Sequence, residues 1–147
     1  KHSVVLGIVL SSFVTTFAHA DDSSDNNCGK LSILFTNLTQ SSCTLVNANL
    51  KQAFYKYTSS VPQYIPANTT TSPIFLEQSV FGPELELTYS CGEGKIVTFS
   101  SKQKLVFLAA GDISGTVLYS QNLTADYQAQ NGSWLWSQHG SMNWRLQ

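Results

Sequence analysis

The sequence predicts an all-β domain, an antiparallel β-sandwich of about eight to nine strands, with a small β-barrel as the alternative. Three observations carry that reading. Apolar residues recur with a period of two along most of the chain, turn-forming residues separate these runs, and no stretch sustains a helical period. Strand lengths near six to eight residues suit two packed faces, which favours the sandwich over the barrel.

Taken in order, the chain opens on a segment that reads as an export signal rather than as part of the fold. Lys1-His2 is a short basic start, an apolar run extends from Val4 to Phe17, and Ala18-His19-Ala20 fits the small-x-small pattern of a cleavage site. The run is interrupted by Ser11, Ser12, Thr15 and Thr16 and is shorter than the roughly 20 apolar residues of a membrane-spanning helix. Cleavage after Ala20 gives a chain beginning at Asp21 and places the protein in a secreted or periplasmic compartment. Residues 21–29 are polar and acidic and read as a flexible leader, and residues 30–147 as a single domain.

Within the domain, Leu31, Ile33 and Phe35 alternate with Ser32 and Leu34. Leu85, Leu87 and Tyr89 alternate with Glu84, Glu86, Thr88 and Ser90, and Ile113, Gly115, Val117 and Tyr119 repeat the pattern. Turns are expected at Thr39-Gln40-Ser41-Ser42, Gly82-Pro83, Gly92-Glu93-Gly94, Gly111-Asp112, Asn131-Gly132 and His139-Gly140-Ser141. These signals predict strands near 31–38, 43–50, 74–80, 84–91, 95–101, 104–110, 113–120, 133–138 and 142–146. Residues 123–130 suit either a strand or a short helix, and 58–72, with Pro62 and Pro66, reads as the longest irregular stretch. Tight connections such as Gly92-Glu93-Gly94 call for antiparallel pairing.

Residues 21–147 keep seven basic and nine acidic side chains, a net charge of about −2. That balance excludes the basic footprint of a nucleic-acid-binding protein and binding driven mainly by attraction to anionic lipid. Cys28, Cys43 and Cys91 make an odd count, so one bridge and one spare thiol is the simplest arrangement. Cys43–Cys91 would join a strand start to a strand end and leave Cys28, beside the leader, free to link a dimer. Cys28–Cys91 and Cys28–Cys43 remain open alternatives. The cysteine spacings are not zinc-like and His139 is the only histidine after residue 20, so neither a metal nor another cofactor is expected.

The catalytic inventory is poor. His139 lies in a turn, no nucleophile-elbow pattern surrounds Ser137 or Ser141, and Glu84 and Glu86 alternate with leucines as on any solvent-facing strand. A small hydrolase using Glu84 or Glu86 is the enzymatic alternative. Aromatic residues stand out instead. Tyr55, Tyr57 and Tyr64 lie in or near the proline-bearing stretch, and Trp134, Trp136 and Trp144 close the chain. Tyrosine and tryptophan pair an apolar body with a polar handle, which suits contact with lipid headgroups, sugars or peptides. These six are the candidate ligand-binding residues, with core packing as the competing role for the tryptophans. Four Asn-x-Ser/Thr triplets begin at Asn37, Asn68, Asn122 and Asn131; in a eukaryotic secretory pathway they would be glycan acceptors, and in so Asn- and Thr-rich a chain they also arise by chance.

The order Leu31-Ser32-Ile33-Leu34-Phe35-Thr36-Asn37-Leu38-Thr39, Thr44-Leu45, Pro62-Gln63-Tyr64-Ile65-Pro66 and Gly82-Pro83-Glu84-Leu85-Glu86-Leu87-Thr88-Tyr89 resembles small secreted β-sandwich proteins of the aegerolysin-like type. It spans Leu31 to Phe99, and no binding residue is carried over from it. Members of that group bind membrane lipids, and some form pores with a partner protein. The resemblance implies a sandwich and lipid contact. Together these readings point to a secreted, non-enzymatic binding protein of effector or toxin-like type, with membrane lipid ahead of surface glycan and a host protein as a further partner class. A structural or assembly protein of the periplasm or cell surface is the alternative.

Overall fold

The computed structural model describes residues 31–51, 60–76, 82–106, 109–132 and 138–147. Among them lie ten strands: β1 (Leu31–Asn37), β2 (Cys43–Leu50), β3 (Tyr64–Ile65), β4 (Thr69–Thr70), β5 (Ile74–Leu76), β6 (Glu84–Ser90), β7 (Ile96–Val106), β8 (Ala109–Gln121), β9 (Ala125–Gln130) and β10 (Gly140–Leu146). One sheet has the order β4-β1-β10-β9, with β5 also on β1, and the other has the order β3-β2-β6-β7-β8. The described residues contain no helix. The two sheets stay separate and face one another, so the fold is the sandwich and the barrel alternative falls.

Period-two patterning builds the interior. In β6, Leu85, Leu87 and Tyr89 are buried while Glu84, Glu86, Thr88 and Ser90 between them are partly exposed. Leu31, Ile33 and Phe35 of β1 and Met142, Trp144 and Leu146 of β10 supply the opposing face. Trp144 joins the two layers. Its ring lies 4.3 Å from that of Phe99 in the other sheet, and its indole N–H donates to Ser101 Oγ at 2.8 Å. Gly115 makes room for it, because a Cβ there would stand 2.6 Å from both Trp144 Cζ2 and Tyr127 Cδ1.

Several expectations need correction. β1 and β10 pair in parallel, with Leu31 opposite Gly140 and Asn37 opposite Leu146. More than a hundred residues separate them in sequence, so no tight hairpin dictates their direction. The runs 95–101 and 104–110 do not form two strands: β7 is continuous over Ile96–Val106, with a register shift between Gln103 and Leu105 where a break was expected. Gly111-Asp112 is no turn but part of β8, which pairs with β7 as far as Ala109 opposite Val106. Gly140 and Ser141 belong to β10. Gly140 is small for packing, since a Cβ would meet Ile113 Cδ1 at 2.5 Å. Of the two alternatives left for 123–130, the strand is the one that forms, as β9 over 125–130. In β8 the register fails beyond Val117: Val117 pairs with Phe99 but Tyr119 pairs with Thr98, so the bulge at Leu118 turns Tyr119 to the outer face.

The segment 60–76 bridges the two layers: the stretch expected to be irregular, 58–72, carries β3 and β4, and β5 falls in the strand expected near 74–80. Its β3 edges one sheet beside β2, and its β4 and β5 edge the other beside β1. The proposed export signal at 1–20, the leader at 21–29 with Cys28, and the strand expected at 133–138, apart from its last residue, lie outside the described residues.

Candidate functional site

The 60–76 segment carries Tyr64, the most exposed aromatic residue among those described, and is held from three directions. The first anchor is Asn37, the last residue of β1, which is fully buried. Its amide Nδ2 donates to the carbonyls of Ser41 at 2.8 Å, Ile65 at 3.1 Å and Pro66 at 3.1 Å. Its Oδ1 accepts from Thr39 N at 2.9 Å and Thr39 Oγ1 at 2.8 Å. One side chain thus satisfies carbonyls of both the β1–β2 turn and the β3 loop, that of Ile65 buried. Engaged in this way and without solvent access, Asn37 is a structural amide, not a surface glycan acceptor.

The second anchor is the disulfide. Cys43 and Cys91 are bonded and buried, and Cys43 pairs with Ile65 of β3. The bridge ties the start of β2, and through it β3, to the end of β6. The third anchor is Tyr89, whose phenol donates to the Pro62 carbonyl at 2.8 Å. Burial pushes its pKa well above the usual tyrosine value. On the other sheet, Thr71 N donates to the Phe35 carbonyl at 2.9 Å, and the hydroxyls of Thr36 and Thr70 share a hydrogen bond of 2.9 Å. Asn68 takes the left-handed conformation (φ 54°) between β3 and β4, a role asparagine fills readily.

On this frame Tyr64 stands out into solvent, 57% exposed, with its hydroxyl hydrogen-bonded to Ser42 Oγ at 2.5 Å. It walls a groove of about 460 Å³ lined also by Pro62, Pro66, Thr69, Thr70 and Pro73. The lining is aromatic, proline ring and hydroxyl, without a charge. The whole stretch from Ser60 to Leu76 contains no Asp, Glu, Lys, Arg or His, and neither does Leu31 to Leu50. Such a surface offers apolar contact and neutral hydrogen bonds, and no acid, base or nucleophile activated by a neighbour.

The other candidates separate. Trp144 is corrected: it is fully buried between the sheets and cannot contact a ligand at the surface. Its placement follows from the parity it shares with Met142 and Leu146. Tyr55, Tyr57, Trp134 and Trp136 lie outside the described residues. Glu84 and Glu86 sit on the outer face of β6, each beside a lysine: Lys102 Nζ is 3.3 Å from Glu84 and Lys51 Nζ is 2.6 Å from Glu86. The hydrogen bond to Glu86 raises the Lys51 pKa. Both pairs are cross-strand ion pairs on a solvated face, of a kind that contributes little stability. His139, read as a solvated turn residue, is half-buried with its ring 5.7 Å from that of Phe75. Among the described residues no three His, Cys, Asp or Glu side chains gather as a metal site.

Sequence reasoning missed Val46. It is 58% exposed, and it lies at a bulge of β2: Leu45 pairs with Tyr89 and Asn47 with Thr88, leaving Val46 unmatched on β6. A bulge depends on counting one strand against its partner, so no local signal marks it.

No protein-family model matches the chain, and no curated protein matches it in sequence. Solved structures do resemble it in fold. The lipid-binding protein Nakanori aligns with a TM-score of 0.56 and 8% identity over 80% of this chain and 70% of its own. IP-1A from Alcaligenes faecalis aligns with a TM-score of 0.52 and 13% identity over 82% of this chain and 91% of its own. At these identities the likeness is one of fold.

Proposed function

We propose that this is a secreted, non-enzymatic protein that binds a lipid membrane surface through the Tyr64 groove. The observation that carries the reading is Tyr64 itself: an aromatic side chain standing in solvent on a segment fixed by a buried amide, a disulfide and a buried phenol. Val61, Ile65, Ile74 and Leu76 of this segment are buried in the core, so the chain that carries Tyr64 is held in place, and a pre-ordered aromatic loses little entropy on binding. Tyrosine in a charge-free setting of proline and threonine suits the interfacial layer of a bilayer, where an amphipathic ring is at home and a charge is not. That a lipid-binding protein shares the fold agrees with this reading, as does the aegerolysin-like order of motifs from Leu31 to Phe99. The Cys43–Cys91 bridge is compatible with an extracytoplasmic compartment, in keeping with export through residues 1–20. An effector or toxin-like role is the biological setting we propose.

The test is flotation of the protein with vesicles of phosphatidylcholine, phosphatidylcholine with phosphatidylserine, and sphingomyelin with cholesterol. The wild type floats with at least one composition, and Tyr64→Ala loses most of that binding while its melting temperature stays within a few degrees. Equal binding by both proteins removes Tyr64 from the site. No flotation with any composition, together with retention on a glycan array, moves the ligand class to surface carbohydrate.

A further inference from the structure

The bulge of β2 has no evident use in the sandwich. It interrupts the β2–β6 ladder between Leu45 and Asn47 and leaves Val46 58% exposed, the most exposed large hydrophobic residue among those described. Bulges re-aim side chains at the margins of binding sites, and the other edge of β2 shows where this one aims. Cys43 pairs with Ile65, Thr44 with Tyr64, and the Leu45 amide donates to the Gln63 carbonyl at 2.9 Å. Continuing that register by one residue sets Val46 alongside Pro62. It stands diagonal to Tyr64, a relation that spans about 7–8 Å between neighbouring strands. Pro62 and Tyr64 both line the groove.

We infer that Val46 is a second apolar anchor of the lipid-binding surface, so that the protein seats on the membrane through a Val46–Pro62–Tyr64 edge. This rests on the reading of the Tyr64 groove as the lipid-facing site. The occupant is the apolar margin of the bilayer rather than a headgroup alone, because valine offers no polar contact and an aqueous ligand would gain little from it. The charge-free stretches Leu31–Leu50 and Ser60–Leu76 fit such seating, since none of their side chains would carry a charge out of water. A solvent-exposed valine on a strand margin also exposes the protein to unwanted association, which gives its position by the groove a reason.

The experiment uses the vesicle composition that binds wild type best and compares Val46→Ser, Val46→Leu and Tyr64→Ala by flotation, with melting temperature as the control. Val46→Ser is expected to bind about five- to tenfold more weakly, from loss of part of a valine's burial on binding. Val46→Leu is expected to bind at least as tightly as wild type. Melting temperatures are expected to stay close, because residue 46 lies in solvent. Wild-type affinity in Val46→Ser alongside loss in Tyr64→Ala overturns the anchor and leaves the Tyr64 site standing. Weaker binding by Val46→Leu than by Val46→Ser also overturns it. Failure of the wild type to bind any vesicle overturns the site on which it rests.

Discussion

Replacing Asn37 with Ala should be among the most damaging single changes in the domain, although it deletes no apolar packing. The side chain is buried, donates to three carbonyls and accepts two hydrogen bonds from Thr39. Two amide protons serve three acceptors, so the loss amounts to about four hydrogen bonds rather than five. At about 0.5–1.5 kcal/mol each, with a further penalty of about 1–3 kcal/mol where a buried carbonyl is stranded, the expected loss is about 3–9 kcal/mol. The Ile65 carbonyl is the buried one; the bonds to Ser41 and Pro66 are only part-buried, so water can take up some of their deficit. That moves the expectation to the lower half of the range. For a domain of this size it corresponds to a fall in melting temperature of roughly 10–20 °C. Urea unfolding followed by far-ultraviolet circular dichroism measures it, with an unchanged m value if the native state keeps its compactness. Asn37→Asp should be no better, since a carboxylate cannot donate to the three carbonyls. A loss below about 1 kcal/mol in Asn37→Ala would refute the hub and with it the reason the Tyr64 loop is ordered.

Other consequences follow from the packing. Gly115→Ala should destabilise by about 1–3 kcal/mol in the same urea assay, because the new methyl would stand 2.6 Å from the Trp144 and Tyr127 rings, and the buried Trp144 ring cannot yield without disturbing the core. Gln103→Leu should stabilise by about 1–2 kcal/mol, because Gln103 is buried and neither end of its amide finds a partner among the described residues; a destabilised variant would mean that the amide is satisfied after all. Tyr89 predicts an alkaline limit. Its phenol holds its proton in the folded chain and releases it in the unfolded chain near the usual value of 10, so its contribution is full below about pH 10 and is lost as pH rises beyond it. Tyr89→Phe should lose stability at pH 7 with the bond to Pro62, yet show a shallower decline above pH 10 than wild type; parallel declines would contradict the assignment.

Much of the fold was legible where a residue's own neighbours decide its place. The alternation of Leu85, Leu87 and Tyr89 marked both the span and the buried face of β6, and the positions of Cys43 and Cys91 at strand ends favoured the bridge that forms. Trp144 was legible too, since it shares the parity of Met142 and Leu146, but grouping it with Trp134 and Trp136 obscured that. Other features depend on partners far away in sequence. The parallel β1–β10 pairing joins opposite ends of the domain, and Gly111 and Gly140 look like turn glycines until a facing strand shows otherwise. Asn37 reads as a glycosylation triplet in sequence, and its burial becomes visible only when the Ile65–Pro66 loop folds over it. In the site, the prolines flanking Tyr64 marked it as a surface aromatic, whereas the bulge exposing Val46 leaves no trace in the residues around it.

The most direct test of the lipid-binding account is amide hydrogen exchange of the protein with and without the vesicles to which it binds. Binding through the Tyr64 edge predicts slower exchange in residues 60–74 and 44–47, with the outer face of β6 and β7 unchanged. Protection centred on β6 and β7 around Glu84, Glu86 and Lys102, with residues 60–74 exchanging as in solution, would contradict it.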